Sequence, residues 1–144
     1  MNIAVCGLGR AGKELARKIV LETENDLVMG LCREESRTAG MDIGELMGMP
    51  KFSCNMWKIS ECEQVLLDKK VDVIIDFSGK STSLELVPLC ERVGINLVIC
   101  TTNFTEEEKK YLCEMGQKST FGLVYAPNLT LGINLLMEFV EKLS

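Results

Sequence analysis

No histidine occurs anywhere in the 144 residues. The commonest general acid–base and the commonest metal ligand are therefore missing together, and any chemistry has to proceed without an imidazole. No apolar run approaches the ~18–20 residues that a membrane helix needs; the longest surrounds Val73, Ile74 and Ile75. The N-terminus enters a strand pattern after one residue, without the basic stretch and apolar core of an export signal. Basic residues are in deficit, 16 against 21 acidic ones, for a net charge of −5. That balance lacks the basic face that nucleic acid demands. The seven cysteines are odd in number and include no C-x-x-C pair. Reduced, structural thiols in a cytoplasmic protein are the expected reading, with Cys6, Cys32, Cys90 and Cys100 on buried faces, rather than a disulfide framework or a metal site. Internal repeats, low-complexity tracts and linkers are missing too.

What is present is an alternation of strand and helix patterns from end to end, in a length that suits one domain. Such alternation predicts an α/β layer structure with a doubly wound, mostly parallel sheet. Predicted strands are Ile3 to Cys6, Leu27 to Cys32, a short one within Phe52 to Trp57, Val71 to Phe77, Asn96 to Cys100, and Phe121 to Tyr125. Between the second and third lies a Gly- and Met-rich loop from Arg33 to Pro50, without clear periodicity. Two capping boxes, Ser60-x-x-Glu63 and Thr105-x-x-Glu108, predict helix starts. A further helix is expected from about Ser83 to Val93, ending at Gly94, with Pro88 forcing a late start or a kink.

The first strand runs straight into Gly7-Leu8-Gly9-Arg10-Ala11-Gly12, and a helical pattern with Ala11, Leu15, Ile19 and Val20 on one face follows at once. A G-x-G-x-x-G alone is weak, but between a strand and a helix it reads as a dinucleotide-binding fingerprint of the Rossmann type. Each glycine has its own task. Gly7 allows the tight turn, Gly9 lets the backbone approach a pyrophosphate, and Gly12 lets helix and strand pack closely. The free N–H groups and positive end of that helix face the phosphates.

In such sheets, ligands bind beyond the carboxyl ends of the strands, so the residues following each strand matter most. After the second strand comes Cys32-Arg33-Glu34-Glu35. An acid there suits a ribose, and an arginine suits a 2′-phosphate. Arg33 and Glu34 both remain possible partners, so NADPH and NADH are both possible cofactors. After later strands come Asp76-Phe77-Ser78-Gly79, Cys100-Thr101-Thr102-Asn103-Phe104 and Ala126-Pro127-Asn128-Leu129-Thr130. These segments carry the donors and acceptors that could hold a ribose and a nicotinamide amide.

Together these segments resemble the N-terminal half of the 4-hydroxy-tetrahydrodipicolinate (dihydrodipicolinate) reductase family of lysine and diaminopimelate biosynthesis. Asp76-Phe77-Ser78 is similar to the family's D-F-[ST] strand end, and Cys100 to Phe104 to its G-T-T-G-[FY]. Ala126 to Asn134 is similar to its A-x-N-[FM]-S-x-G-[VI]-N, and Asp42 to Gly48 to a D-x-G-E-L-x-G stretch found in some members. The resemblance implies that Gly7, Leu8, Gly9, Arg10, Ala11 and Gly12 surround the pyrophosphate and that Arg33 lies near the adenosine ribose. It implies that Phe77, Ser78, Cys100, Thr101, Thr102 and the run Ala126, Pro127, Asn128, Leu129 serve the nicotinamide end. Three departures stand out. The glycine turn is one residue shorter than G-x-G-G-R-M-G, Cys100 and Asn103 replace glycines, and Cys32 takes a place where an acid is often found.

The family reaction is hydride transfer from NADPH or NADH to a cyclic imine or enamine acid. Its E-x-H-H-x-x-K-x-D-x-P-S-G-T segment, which binds the substrate and supplies the proton, is not in this sequence. No catalytic residue is therefore assigned; a dinucleotide-binding sensor, a subunit completed by a partner, and a degenerate non-binding domain are the rival readings. The expected organisation is a dinucleotide-binding domain over 1–130 and a terminal helix over 131–144. The apolar stripe of that helix (Leu131, Leu135, Leu136, Phe139, Val140, Leu143) is expected either to fold back on its own sheet or, the favoured reading, to pair with a second copy in a homodimer.

Overall fold

A computed structural model of the chain describes residues 1–118 and 120–128. Leu129, the 130/131 domain boundary and the apolar stripe expected to form a dimer lie outside the described residues. Strand β1 (Asn2–Cys6) sends Ile3 and Val5 to one side and Ala4 and Cys6 to the other, and both sides are buried. A strand apolar on both faces belongs in the middle of a covered sheet. Here β1 pairs in parallel with β2 (Asp26–Cys32) on one side and β4 (Val73–Asp76) on the other. With β3 (Met56–Lys58), β5 (Asn96–Ile99) and β6 (Leu123–Tyr125), the all-parallel order is β3-β2-β1-β4-β5-β6. This is the doubly wound dinucleotide-fold order.

Among the described residues, five helices cover the two faces. On one, Ala16 and Ile19 of α1 (Arg10–Glu22) and Ile43 of α2 (Ile43–Leu46) pack on Ile3 and Val5. On the other, Leu66 of α3 (Glu63–Asp68), Leu86 of α4 (Lys80–Val93) and Leu112 of α5 (Glu106–Lys118) share a core with Ala4, Met29 and Leu31. Among the described residues, no helix is long and apolar enough to cross a membrane.

Several local expectations shift. The Thr105 capping box forms as written: Thr105 N–H donates to Glu108 Oε2 at 2.7 Å, and Glu108 N–H to Thr105 Oγ1 at 3.2 Å. The Ser60 box does not. Ser60 N–H donates instead to Glu34 Oε1 at 3.1 Å, within a single 3-10 turn over Ile59–Glu61, and α3 begins only at Glu63 with no side-chain cap. Helix α4 starts at Lys80, three residues earlier than the sequence suggests, because Ser83 N–H reaches Gly79 O at 2.9 Å and closes the first turn. It continues through Pro88, whose missing N–H costs about 3 kcal/mol in a helix interior. Burial of Leu86, Val87, Leu89 and Cys90 on either side offsets that loss. Gly94 ends the helix with φ +70, as expected.

Strand β3 is shorter and later than the Phe52–Trp57 reading, and β6 drops Phe121 and Gly122. The reason at β3 is the preceding loop. Asp42 caps α2 by accepting from Gly44 N–H at 2.8 Å and also accepts from Cys54 N–H at 3.2 Å, so residues near 54 wrap around α2 rather than extend the sheet. Neighbours on β3 face opposite ways: Met56 joins the α1–α2 core, while Trp57 packs against the α3–α4 core with its Nε1 buried and without a partner. All seven cysteines are free; Cys6, Cys32, Cys54, Cys62 and Cys90 are buried, Cys100 is half-buried rather than buried, and Cys113 is exposed.

Helix α1 lies unusually close to the strand that feeds it. A β-carbon on Gly12 would stand 2.0 Å from the Gly7 carbonyl oxygen, which is backbone and cannot swing aside. Gly12→Ala is accordingly expected to destabilise the domain by about 1–3 kcal/mol, as overpacking does. A lowered urea midpoint at unchanged slope is the measurement.

Candidate functional site

Four residues just past strand ends extend the ladder by one hydrogen bond each. Gly7 N–H donates to Leu31 O at 3.0 Å, Phe77 N–H to Cys6 O at 2.9 Å, Cys100 N–H to Asp76 O at 2.9 Å, and Ala126 N–H to Ile99 O at 2.8 Å. Each loop singled out in the sequence therefore leaves the same carboxyl edge, side by side with its neighbour. From β2 to β6 that edge covers four strand spacings, roughly 19 Å. The chain leaves β1 towards β2 but leaves β4 towards β5, so the edge divides between β1 and β4, where a ligand crevice opens in such sheets.

A cleft of about 390 Å³ occupies this switch point. Gly7, Leu8, Gly9, Arg33, Phe77 and Ser78 line it. The other sequence-derived residues do not. Arg10, Ala11 and Gly12 form the first turn of α1 beside it, Cys100, Thr101 and Thr102 follow β5, and Ala126, Pro127 and Asn128 follow β6.

Geometry explains the glycines. Gly7 has φ +81, and a β-carbon on it would come within 2.6 Å of Ser78 Cα, so the turn rests against the end of β4. A β-carbon on Gly9 would meet nothing within 4 Å. The space above Gly9 is open cleft. Helix α1 begins there with no side-chain cap and no acid in its first turn. Its unpaired N–H groups and positive end are left for an anion from outside. Helix α5 contrasts with it, carrying a capping box and three glutamates in its first turn.

At the β2 end, Arg33 is the one charged side chain among the described residues lining the cleft. Glu34, the other ribose candidate, points elsewhere. Its carboxylate is held below its ordinary pKa by Ser60, through the hydroxyl first and the backbone N–H second, and it lines a separate groove with Glu63 and Arg92. Two hydroxyl residues that the sequence reading passed over join Arg33: Ser36 and Thr38, with their oxygens 2.7 Å apart. They sit in the aperiodic loop, where the only available signal was hydroxyl content. Ser81 and Thr82, at the start of α4, were also missed, whereas Gly79 belongs to a segment the sequence singled out. Asn103, which stands in a glycine's place, has φ +69, a conformation asparagine tolerates.

Beneath the cleft lies Asp76, with no exposed surface. Its Oδ1 accepts from Ser78 N–H at 2.9 Å and from Ser78 Oγ at 2.5 Å. Its Oδ2 accepts from Ser83 Oγ at 2.5 Å and lies 3.3 Å from Thr101 Oγ1. The nearby thiols stay protonated. Burial, with the Asp76 charge adding to it, raises Cys6 well above its ordinary value and Cys100 to about 11; burial raises Cys54 and Cys90 to about 12 and Cys62 to about 11. None of these is a thiolate nucleophile at neutral pH. Among the described residues, no cluster of three potential ligands could hold a metal ion. The cleft offers an uncapped helix start, one arginine and several hydroxyls, a lining chemically suited to an anionic, hydroxyl-rich molecule.

The profile of the family described as "Dihydrodipicolinate reductase, N-terminus" matches residues 1–129. The 4-hydroxy-tetrahydrodipicolinate reductase of Hahella chejuensis is 36% identical over 142 residues, or 96% of this chain and 50% of that protein. Its counterpart in Methanocaldococcus jannaschii is 30% identical over 145 residues, or 100% of this chain and 53% of that one. Among solved structures, dipicolinate-bound dihydrodipicolinate reductase from Paenisporosarcina sp. TG-14 shares the fold, with a TM-score of 0.73 at 24% identity over 96% of this chain and 51% of that one. The chain spans about half the length of the relatives it matches.

Burial and raised thiol pKa values together set an order of reactivity. With Ellman's reagent at mildly alkaline pH, Cys113 is expected to react first and Cys100 slowly, with the five buried thiols reacting only after denaturation. Rapid reaction of several thiols in the native protein would contradict the packing described.

Proposed function

Because the chain belongs to the dihydrodipicolinate reductase family, corresponding to its N-terminal part, we propose that it binds a reduced nicotinamide dinucleotide along the carboxyl edge of its sheet. The observation that carries this reading is the open space over Gly9, between an uncapped helix start and a lone arginine. The pyrophosphate lies on the glycine turn, where the α1 N–H groups donate to it. The adenosine half extends towards β2 and Arg33. The nicotinamide half extends the other way, towards β4, β5 and β6. When bound, the cofactor supplies hydride for reduction of a cyclic imine or enamine acid. The residues of this chain bind and orient it; with no histidine in the sequence and no acid among the described residues that line the cleft, no proton donor is assigned to them.

NADPH is the favoured form. Arg33 has the charge and the planar fork that a 2′-phosphate uses, Ser36 and Thr38 add hydroxyls, and Glu34 is held away by Ser60.

Two variants test this. Gly9→Val places its side chain in open cleft rather than in protein, so it should leave the urea midpoint unchanged while weakening NADPH and NADH binding about tenfold or more. Arg33→Ala should cost about tenfold in NADPH affinity, the scale of one hydrogen bond to a charged group, and little in NADH affinity. Nicotinamide fluorescence titration reads both. Failure of the wild-type chain to bind either nucleotide at millimolar concentration would reject the reading and leave a degenerate domain. Equal losses for Arg33→Ala would reject the NADPH preference alone.

A further inference from the structure

The Asp76 network does more than hold loops together, because it fixes which way two hydroxyl groups donate. A hydroxyl has one hydrogen and two lone pairs, whereas a carboxylate only accepts. Ser78 N–H already donates to Asp76 Oδ1, and Ser78 Oγ, 2.5 Å from the same oxygen, gives its hydrogen to it too. Ser83 Oγ lies 2.5 Å from Oδ2 and 3.1 Å from Gly79 O, and the nearer, charged oxygen takes its one hydrogen. Thr101 Oγ1 lies 2.6 Å from Ser83 Oγ but 3.3 Å from Oδ2, so its hydrogen runs to Ser83. The result is a directed chain, Thr101 to Ser83 to Asp76, with a second arm from Ser78. Both arms spend their hydrogens inward. Ser78 Oγ and Thr101 Oγ1 can then offer a ligand only lone pairs.

Their positions give that polarity a use. Ser78 lines the cleft beside Gly7 and Gly9, and Thr101 follows the neighbouring strand. With the diphosphate on the glycine turn and the adenosine towards Arg33, these two oxygens lie on the side left for the second nucleoside. We infer that Asp76 is a positioning residue that makes Ser78 and Thr101 obligate acceptors, selecting hydrogen-bond donors (ribose hydroxyls and the carboxamide N–H₂) on the nicotinamide half of the ligand. This rests on the dinucleotide-binding reading above. Asp76 touches no ligand; it acts through the two hydroxyls.

An isosteric exchange disrupts the polarity. Asp76→Asn places an amide N–H₂ where one carboxylate oxygen stood, and a hydroxyl facing it loses that acceptor and must give its hydrogen elsewhere, which breaks the fixed direction of the chain. The full chain carrying Asp76→Asn should bind NADH about tenfold more weakly, the scale of one hydrogen bond, while ADP, which lacks the nicotinamide half, binds within about twofold of wild type. Thr101→Val removes one acceptor without touching the buried carboxyl, so it gives the same split if Asp76→Asn fails to fold. The double variant should lose less than the sum of the two single losses, because they interrupt one chain. NADH is read by its fluorescence and ADP by calorimetry. Losses of equal size for NADH and ADP would reduce Asp76 to a structural clamp and overturn the inference, as would NADH binding by Thr101→Val at wild-type strength. A wild-type chain that binds ADP but not NADH also overturns it, whereas one that binds neither rejects the dinucleotide reading itself.

Discussion

A β-carbon on Gly12 would lie 2.0 Å from the Gly7 carbonyl oxygen, and one on Gly7 would lie 2.6 Å from Ser78 Cα. Two absent β-carbons thus let three pieces of chain meet at one place: the end of β1, the first turn of α1 and the exit from β4. The rest of the domain is arranged around that meeting. Because α1 starts so near the sheet, its free N–H groups open onto the crevice between β1 and β4 rather than onto bulk solvent. Because β4 abuts the turn, Ser78 and the Asp76 beneath it are held beside any anion bound there. The two apolar cores, one on each face, then fix the sheet on which the meeting is built.

Most of this architecture was legible in the sequence because its cause is periodic. Strands with apolar residues at every position read as buried on both faces, and the glycine turn between strand and helix identified the order of elements. What remained hidden was decided by contacts distant in sequence. Ser60 followed by Glu63 has the form of a helix cap, but Glu34, twenty-six positions away, takes the Ser60 N–H. The strand expected from Phe52 loses its first half to Asp42, which caps a four-residue helix too short to show a period. At the cleft, the glycine turn, Arg33, Phe77 and Ser78 were readable from their places just after strands. Ser36 and Thr38 were not, since a loop without period gives no sign of which side chains turn inward. Asp76 was visible as a charged residue ending an apolar strand, but its network reaches beyond Ser78 to Ser83 and Thr101 on other elements.

Electrostatics separates helix starts that look alike in a drawing of the fold. Helix α5 satisfies its own first turn with the Thr105–Glu108 exchange and surrounds it with glutamates. Helix α1 does neither. In a chain with five more acidic than basic residues, two long helix starts without a side-chain cap or a first-turn acid, those of α1 and α4, meet at the cleft beside Arg33, its one charged side chain among the described residues. An anion drawn to this molecule finds its favourable potential concentrated at a single place, and the acids elsewhere sharpen that choice by repelling it from other faces.

The lone tryptophan has an optical consequence. Trp57 sits on the short edge strand with its indole nitrogen shielded, and the residue before it, Met56, forms part of the cleft wall. An indole emits in the near ultraviolet, where reduced nicotinamide absorbs. With one emitter, next in sequence to a residue of the cleft wall, excitation would pass from the ring to a bound nucleotide without competing donors of the same kind. The fold therefore contains its own gauge of occupancy: ultraviolet excitation of the unmodified chain reads how full the crevice is.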